Sequence, residues 1–308
     1  MFQHAFRQFV FTAMVLTLMS AIPTGELEEH ASCTISSVSS ASSIWSCLSV
    51  TISAFTIPSR STLMLSPKSG ATITMAGDIT FTKTSSDGPL FTIDGEEITF
   101  NGMGYSFDIC HILLFSCFSV TIGVDKPHPL LKFKGSGTYS DFMVLNSPAQ
   151  AISISNSDSL IFDSITVDNS DGDDDDLGHN TDVRNQDDCI TINDGSNIMF
   201  KNNKCSGGHG ISISSISSGK SVTDVIISGN TITDSMYGFR IKVKASATSA
   251  DVNFTGSTTT IKVGDDARHL AIDCGACSGT WDFSKLKITG SSAGTVDSND
   301  ATISGRSY

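Results

Sequence analysis

The stretch NTDVRNQDDC, residues 180 to 189, holds three aspartates, Asp182, Asp187 and Asp188, within seven positions. Carboxylates this close resist ionising together, which raises the pKa of one and keeps it protonated at mildly acid pH. Downstream, His209 sits between Gly208 and Gly210, and Arg240 and Lys242 flank Ile241. The chain carries 19 basic against 32 acidic residues. Any anionic substrate therefore has to meet a local basic patch, and Arg240 with Lys242 is a candidate. Taken singly, each feature has a plainer explanation. Adjacent aspartates usually form a solvated turn, a histidine between glycines usually lies in a loop, and alternating cations usually mark an exposed strand face. A chemical role requires a fold that gathers them.

The elements that could do so are strands. From about residue 70 the sequence is a succession of short Ile, Val, Phe and Thr segments broken by Gly, Asn, Asp and Ser, among them AISISNS, CITINDG, GISISS and FRIKVKA. Alternation at Ile152/Ile154, Ile190/Ile192 and Ile211/Ile213 is the period-two mark of strands with one buried face, and no long stretch has helical periodicity. The strands also recur. Ile211 follows Ile190 by 21 residues and Ile241 follows Ile211 by 30, spacings at which each unit stacks on the last. The predicted fold is all-β, a right-handed parallel β-helix forming a single domain, with ladders about 4.8 Å apart and Ile and Val filling the interior. The competing architecture, an antiparallel sandwich, requires tight Asn-Gly or Asp-Gly hairpins between neighbouring strands.

On a stacked solenoid, positions one coil apart become neighbours. Asp188 and His209, 21 residues apart, and His209 and Arg240, 31 apart, are then expected on adjacent rungs of one face. Acids, an imidazole and two cations converge on a shared groove. The segments NTD, QDDC, GGHGISI and RIK, in that order, resemble the signature of the polygalacturonases, glycoside hydrolase family 28. The resemblance covers most of the chain: ASCTISSVSSASSIWSC is similar to the usual start of the mature enzyme, and LNSPAQAISIS and ITVDNSDGD to the rungs before the active site.

That resemblance implies a secreted endo-polygalacturonase cleaving α-1,4-galacturonosyl bonds of homogalacturonan (pectate) with inversion, without cofactor or metal. An inverting site uses one carboxylic acid to protonate the leaving oxygen and another carboxylate to activate water on the opposite face. Carried over by motif, Asp187 would be the acid, and Asp182 and Asp188 would hold and deprotonate the water. His209 would lie beside the acid, tuning its protonation and touching sugar. Arg240 and Lys242 would bind the galacturonate carboxylate, Arg through its planar fork and Lys as a point charge. Asn180 and Gln186 would add polar contacts, and Gly208 and Gly210 would let sugar or backbone approach closely. A Cys189–Cys205 bridge would staple the catalytic rung.

The sequence also departs from the family. There, NTD and the aspartate pair lie on successive coils, on the order of 20 residues apart. Here Asp187 follows Asp182 by five, and five residues span at most about 17 Å even when fully extended, too little to go once round a coil. After FRIKVKASATSA the chain passes straight to DVNFTG, where the family has further coils and a groove-lining tyrosine; Tyr237, before RIK, is not its match. The run DICHILLFSCFSVTIGV, residues 108–124, is foreign to the pattern and too short to span a membrane. Skipped exons and a retained intron would leave these three marks, and a cDNA matching the chain through all of them would remove that explanation. Because each repeat contacts only its neighbours, a solenoid survives the loss of a rung. The expected domain is thus 32–308, lacking rungs after 182 and after about 248, with weak or absent catalysis. A non-catalytic pectin-binding relative is the alternative, and a calcium-dependent pectate lyase a more distant one that GHG and RIK oppose.

The remaining features fit this frame. The start, with Arg7 and an apolar stretch from about Phe9 to Ile22, reads as a signal peptide over 1–25, with a short pro-segment to about 31 as an option, and hence as secretion. In that oxidising route the eight cysteines favour disulfides, and spacing suggests Cys33 with Cys47, Cys189 with Cys205 and Cys274 with Cys277. Asn253 opens a glycosylation sequon. The acidic run at 171–176 lacks the spacing and glycine of a calcium loop and reads as a solvated turn. The charge of −13 argues against nucleic acid. The expected partner is pectate, with no membrane association and a monomeric state.

Overall fold

The computed structural model describes residues 32–82, 87–109, 127–147, 149–168, 188–217, 220–243, 260–274, 280–283, 287–289, 296–297 and 302–304. For residues 157, 243, 260–274, 280–282, 287–289 and 296–297 only the backbone is described. Almost all of segment 108–124, the whole acidic run at 171–176, the leader, Cys277 and Asn253 lie outside them.

Every strand pairing among the described residues is parallel, and one continuous ladder system takes in 20 strands. The antiparallel sandwich is thereby excluded, and the chain is a parallel β-helix. It has three faces. On the first, Leu63 pairs with Phe91, Phe91 with Leu131, Leu131 with Ile152, Ile152 with Ile190, Ile190 with Ile211, Ile211 with Phe239 and Phe239 with Leu270. The second face begins with Ser32–Ile35 on Ser49–Ile52 and continues through the distal halves of Phe91–Asn101, Leu131–Ser140, Ile152–Asp163 and Ile190–Lys201. The third carries the short strands Ser106–Asp108, Met143–Leu145, Thr166–Asp168 and Lys204–Ser206.

Alternation decides what goes inside. Ile152, Ile154, Ile190, Ile192, Ile211 and Ile213 are all fully buried, and equivalent residues stack coil on coil. Full burial of such a side chain contributes roughly 1.5–3 kcal/mol. Beside this aliphatic column runs an aromatic one, with Phe133 in contact with Tyr139 at 4.8 Å and with Phe162 at 5.0 Å between ring centroids. Tyr139 is the misfit: it is completely buried and its hydroxyl has no hydrogen-bond partner. Burial, with the charges of Glu96 and Asp94, pushes its phenol well above the ordinary tyrosine range, so it stays a neutral hydroxyl. An unsatisfied buried hydroxyl costs about 1–3 kcal/mol. Tyr139→Phe should therefore raise the thermal unfolding midpoint, and a fall would show that the hydroxyl is satisfied after all.

Corners need their own hydrogen bonds. Between the second and third faces, Asn203 and Asn230 are buried and linked across coils. The Asn203 Oδ1 accepts from the Ile165 N–H at 2.8 Å and its Nδ2 donates to the Phe162 carbonyl at 3.4 Å. Asn230 repeats the device one coil on, accepting from the Asn203 N–H at 2.9 Å and donating to the Phe200 carbonyl at 2.9 Å. Disulfides join Cys33 to Cys47 and Cys189 to Cys205, as their spacing suggests.

One spacing needs correction. Ile241 pairs with Ile213 rather than Ile211, which faces Phe239. A slip of two residues keeps every inward side chain inward, so alternation alone does not separate the two registers. The correction moves Arg240 level with Ser212.

Candidate active site

The first face carries the candidate residues that the structure describes: Asp188, Gly208, His209, Gly210, Arg240 and Lys242. Asn180, Asp182, Gln186 and Asp187 lie outside the described residues. Asp188 stands just before the strand Ile190–Lys201, and the Ile190–Ile211 register, extended two residues back, sets it level with His209 on the next coil. The adjoining Cys189 N–H donates to the Gly210 carbonyl at 2.8 Å, and the Asp188 carbonyl accepts from the Ala151 N–H at 3.1 Å. Three successive coils are thus fastened at this point.

The Asp188 carboxylate is only 2% exposed. The Thr191 hydroxyl donates to its Oδ2 at 3.0 Å, and the Ser212 hydroxyl donates to its Oδ1. Thr191 and Ser212 are Cα partners on adjacent coils and occupy the outward phase of strands whose isoleucines point in. Their complete burial is consistent with the carboxylate lying over them. A buried carboxylate held by two hydroxyls is fixed in direction, which positions it for a substrate above the sheet.

Arg240 continues the same outward column, since it pairs with Ser212. Lys242, two residues on, shares that side of the strand; its Cα partner on the next coil is Asp273. Between histidine and arginine stands a residue that spacing did not single out. The Tyr237 ring meets His209 edge-on at 5.7 Å, and the Arg240 guanidinium lies over the same ring, 5.2 Å from its centroid. His209 and Arg240 are therefore on adjacent coils as expected, but they are joined through Tyr237 because the corrected register places Arg240 further along the strand.

The glycines explain the close passage of chain. Gly210 has φ +75°, and a Cβ there would fall 2.1 Å from the Tyr237 carbonyl oxygen. Gly208, also at positive φ, offers its carbonyl to the Met236 N–H at 2.8 Å and the Ser235 hydroxyl at 3.0 Å. Both let the strand bearing Tyr237 and Arg240 lie against the histidine turn. Thr191, Ser212 and Tyr237 are the residues that sequence reasoning missed. For Thr191 and Ser212 the signal was phase: hydroxyls alternating with isoleucine in CITIN and GISIS lie on the side that Arg240 occupies.

Residues 47–258 match the family described as glycosyl hydrolases family 28. Polygalacturonase 2 of Penicillium olsonii is 37% identical over 262 residues, covering 77% of this chain and 69% of its own length. Endopolygalacturonase B of Emericella nidulans is 36% identical over 273 residues, covering 80% and 73%. Among solved structures, endopolygalacturonase I from Stereum purpureum, complexed with two galacturonate, superposes with a TM-score of 0.68 at 46% identity, over 90% of this chain and 100% of that one.

Proposed function

The chain belongs to glycosyl hydrolases family 28, and from that premise we propose that it is an endo-polygalacturonase acting on the α-1,4-galacturonosyl bonds of pectate by inversion. The observation that carries this reading is the buried Asp188 carboxylate, aimed by Thr191 and Ser212 on the coils that also bear His209 and Arg240. In the mechanism, Asp187 protonates the departing glycosidic oxygen while Asp188, with Asp182, draws a proton from the attacking water. Arg240 and Lys242 neutralise the carboxylate of the bound sugar. Tyr237 holds the guanidinium by its ring face, which leaves the fork free to meet that carboxylate. Asn180 and Gln186 contribute polar contacts, and the Gly208 and Gly210 turn sets His209 beside the acid.

Action outside the cell follows from the leader-like start and is supported by the Cys33–Cys47 and Cys189–Cys205 bridges, which persist in oxidising compartments. The domain is taken as 32–308, monomeric, with Asn253 glycosylated and Cys274 bridged to Cys277. The five-residue step from Asp182 to Asp187 favours turnover below that of the longer relatives.

A reducing-sugar assay on polygalacturonate, run beside Asp187→Asn, tests the proposal. The wild-type chain should release reducing ends, insensitive to chelator and of inverted anomeric configuration, and the variant should lose at least about a hundredfold in rate. Retention on pectate with no reducing ends released would instead identify a binding relative. Unsaturated, chelator-sensitive products would identify a lyase.

A further inference from the structure

We propose that Ser235 is a positioning residue for His209, holding the histidine turn from the neighbouring coil so that the imidazole stays aimed at the acid-base site; this rests on the reading of the site given above. The turn itself has little stiffness. Gly207, Gly208 and Gly210 lie in the left-handed region, at φ +69°, +69° and +75°, and glycine has many other conformations open to it. The direction of the histidine therefore has to be set by contacts from outside the turn. Because a peptide unit is planar, the Gly208 carbonyl and the His209 nitrogen turn as one body. Whatever holds that carbonyl sets the direction in which the His209 side chain leaves the backbone. Two donors hold it, both from the coil of Tyr237: the Met236 N–H at 2.8 Å and the Ser235 hydroxyl at 3.0 Å.

The fold brings that hydroxyl to the turn by a local irregularity. Asp234, a non-glycine residue at φ +52°, bends the strand where it leaves the third face for the first. The register with the following coil shifts on either side of Ser235, and irregularities of this kind re-aim a side chain. Ser235 is only 1% exposed, so its hydroxyl is committed to the protein rather than to water. Two residues on, the Tyr237 ring meets the imidazole edge-on at 5.7 Å. Beyond the histidine, the Gly210 carbonyl accepts from the Cys189 N–H at 2.8 Å, on the coil of Asp188. His209 thus stands between two pinned carbonyls, one tied to the coil of the carboxylate and one to the coil of Arg240. Without the hydroxyl the Gly208 carbonyl keeps the Met236 N–H, so removing it should loosen the turn and leave the solenoid folded.

Two measurements on the full chain test this, one of geometry and one of rate. In proton NMR the ring signal of His209, identified by its loss in His209→Gln, feels the Tyr237 ring; it should move in Ser235→Ala, with the β-sheet circular dichroism unchanged. In steady-state cleavage of polygalacturonate, Ser235→Ala should lower kcat about tenfold and leave KM within about twofold. The same substitution made in His209→Ala should cost less than about twofold more, because a residue that acts through the imidazole has nothing to act on once it is gone. An unmoved His209 signal, equal rate losses with and without the imidazole, or a Ser235→Ala chain that does not fold would each overturn the proposal. A loss confined to KM would overturn it too, showing that Ser235 serves the strand of Arg240 instead. If the wild-type chain releases no reducing ends, the reading of the site fails, while the NMR signal still decides whether Ser235 aims His209.

Discussion

Asp188→Asn is expected to lower kcat on polygalacturonate about a thousandfold relative to the wild-type chain, with little change in KM and little change in stability. The substitution is nearly isosteric. The Thr191 and Ser212 hydroxyls that now donate to the carboxylate can each rotate to donate or accept, so the amide keeps partners on both coils. What is lost is the ability to take a proton from water in the transition state, a contribution of 10²–10⁴ in rate. Because that role is exercised only in the transition state, kcat should fall and binding should not. Steady-state kinetics with a matched thermal unfolding curve decide the matter. If activity persists within tenfold, Asp188 is a structural clamp between coils and the base lies elsewhere.

Gly210→Ala should be strongly damaging to the candidate site. Two costs add. The backbone at φ +75° disfavours any side chain, by about 1–2 kcal/mol. The new Cβ would also stand 2.1 Å from the Tyr237 carbonyl oxygen and 2.7 Å from that of Gly238, so the neighbouring strand has to move, at about 1–3 kcal/mol. That strand carries Tyr237 and Arg240, and binding of galacturonate should fall together with stability. Gly104→Ala is the control. Gly104 has nearly the same angle, φ +76°, but nothing within 4 Å of an added Cβ. The difference between the two variants in denaturant unfolding, about 1–3 kcal/mol, isolates the clash from the backbone strain. Equal losses would mean that the strand yields freely and that the packing of the histidine turn on Tyr237 is loose.

Much of the fold can be read from the alternation of residues such as Ile190/Ile192 and Ile211/Ile213, because a strand with one dry face leaves no freedom in phase. The 21-residue step from Ile190 to Ile211 is a true coil. The step to Ile241 misleads by two residues because Phe239 and Ile241 are both inward, and period two tolerates either pairing. That small ambiguity hid the role of Tyr237: with the longer step, histidine and arginine look like direct neighbours and no ring is needed between them. The partners of Asp188 were hidden for another reason. Thr191 and Ser212 sit at ordinary outward positions, where a hydroxyl normally faces water. Only the descent of the chain at residue 188 onto the sheet turns them into ligands of a carboxylate, and that is a tertiary event with no periodic trace. The acid-base motif itself is visible as composition, but the coil on which each aspartate stands is set by loop length, which alternation does not encode.

The linked amides of Asn203 and Asn230 bear on how the molecule would wear out. Asn203 reaches back to the coil of Phe162 and is itself held by the coil of Asn230, so this corner cannot open without disturbing three layers at once. Proteases nibbling inward from either tip would strip the flanking coils and then stall there. The remnant would be the slab carrying Asp188, His209 and Arg240, the last part of the molecule to be consumed.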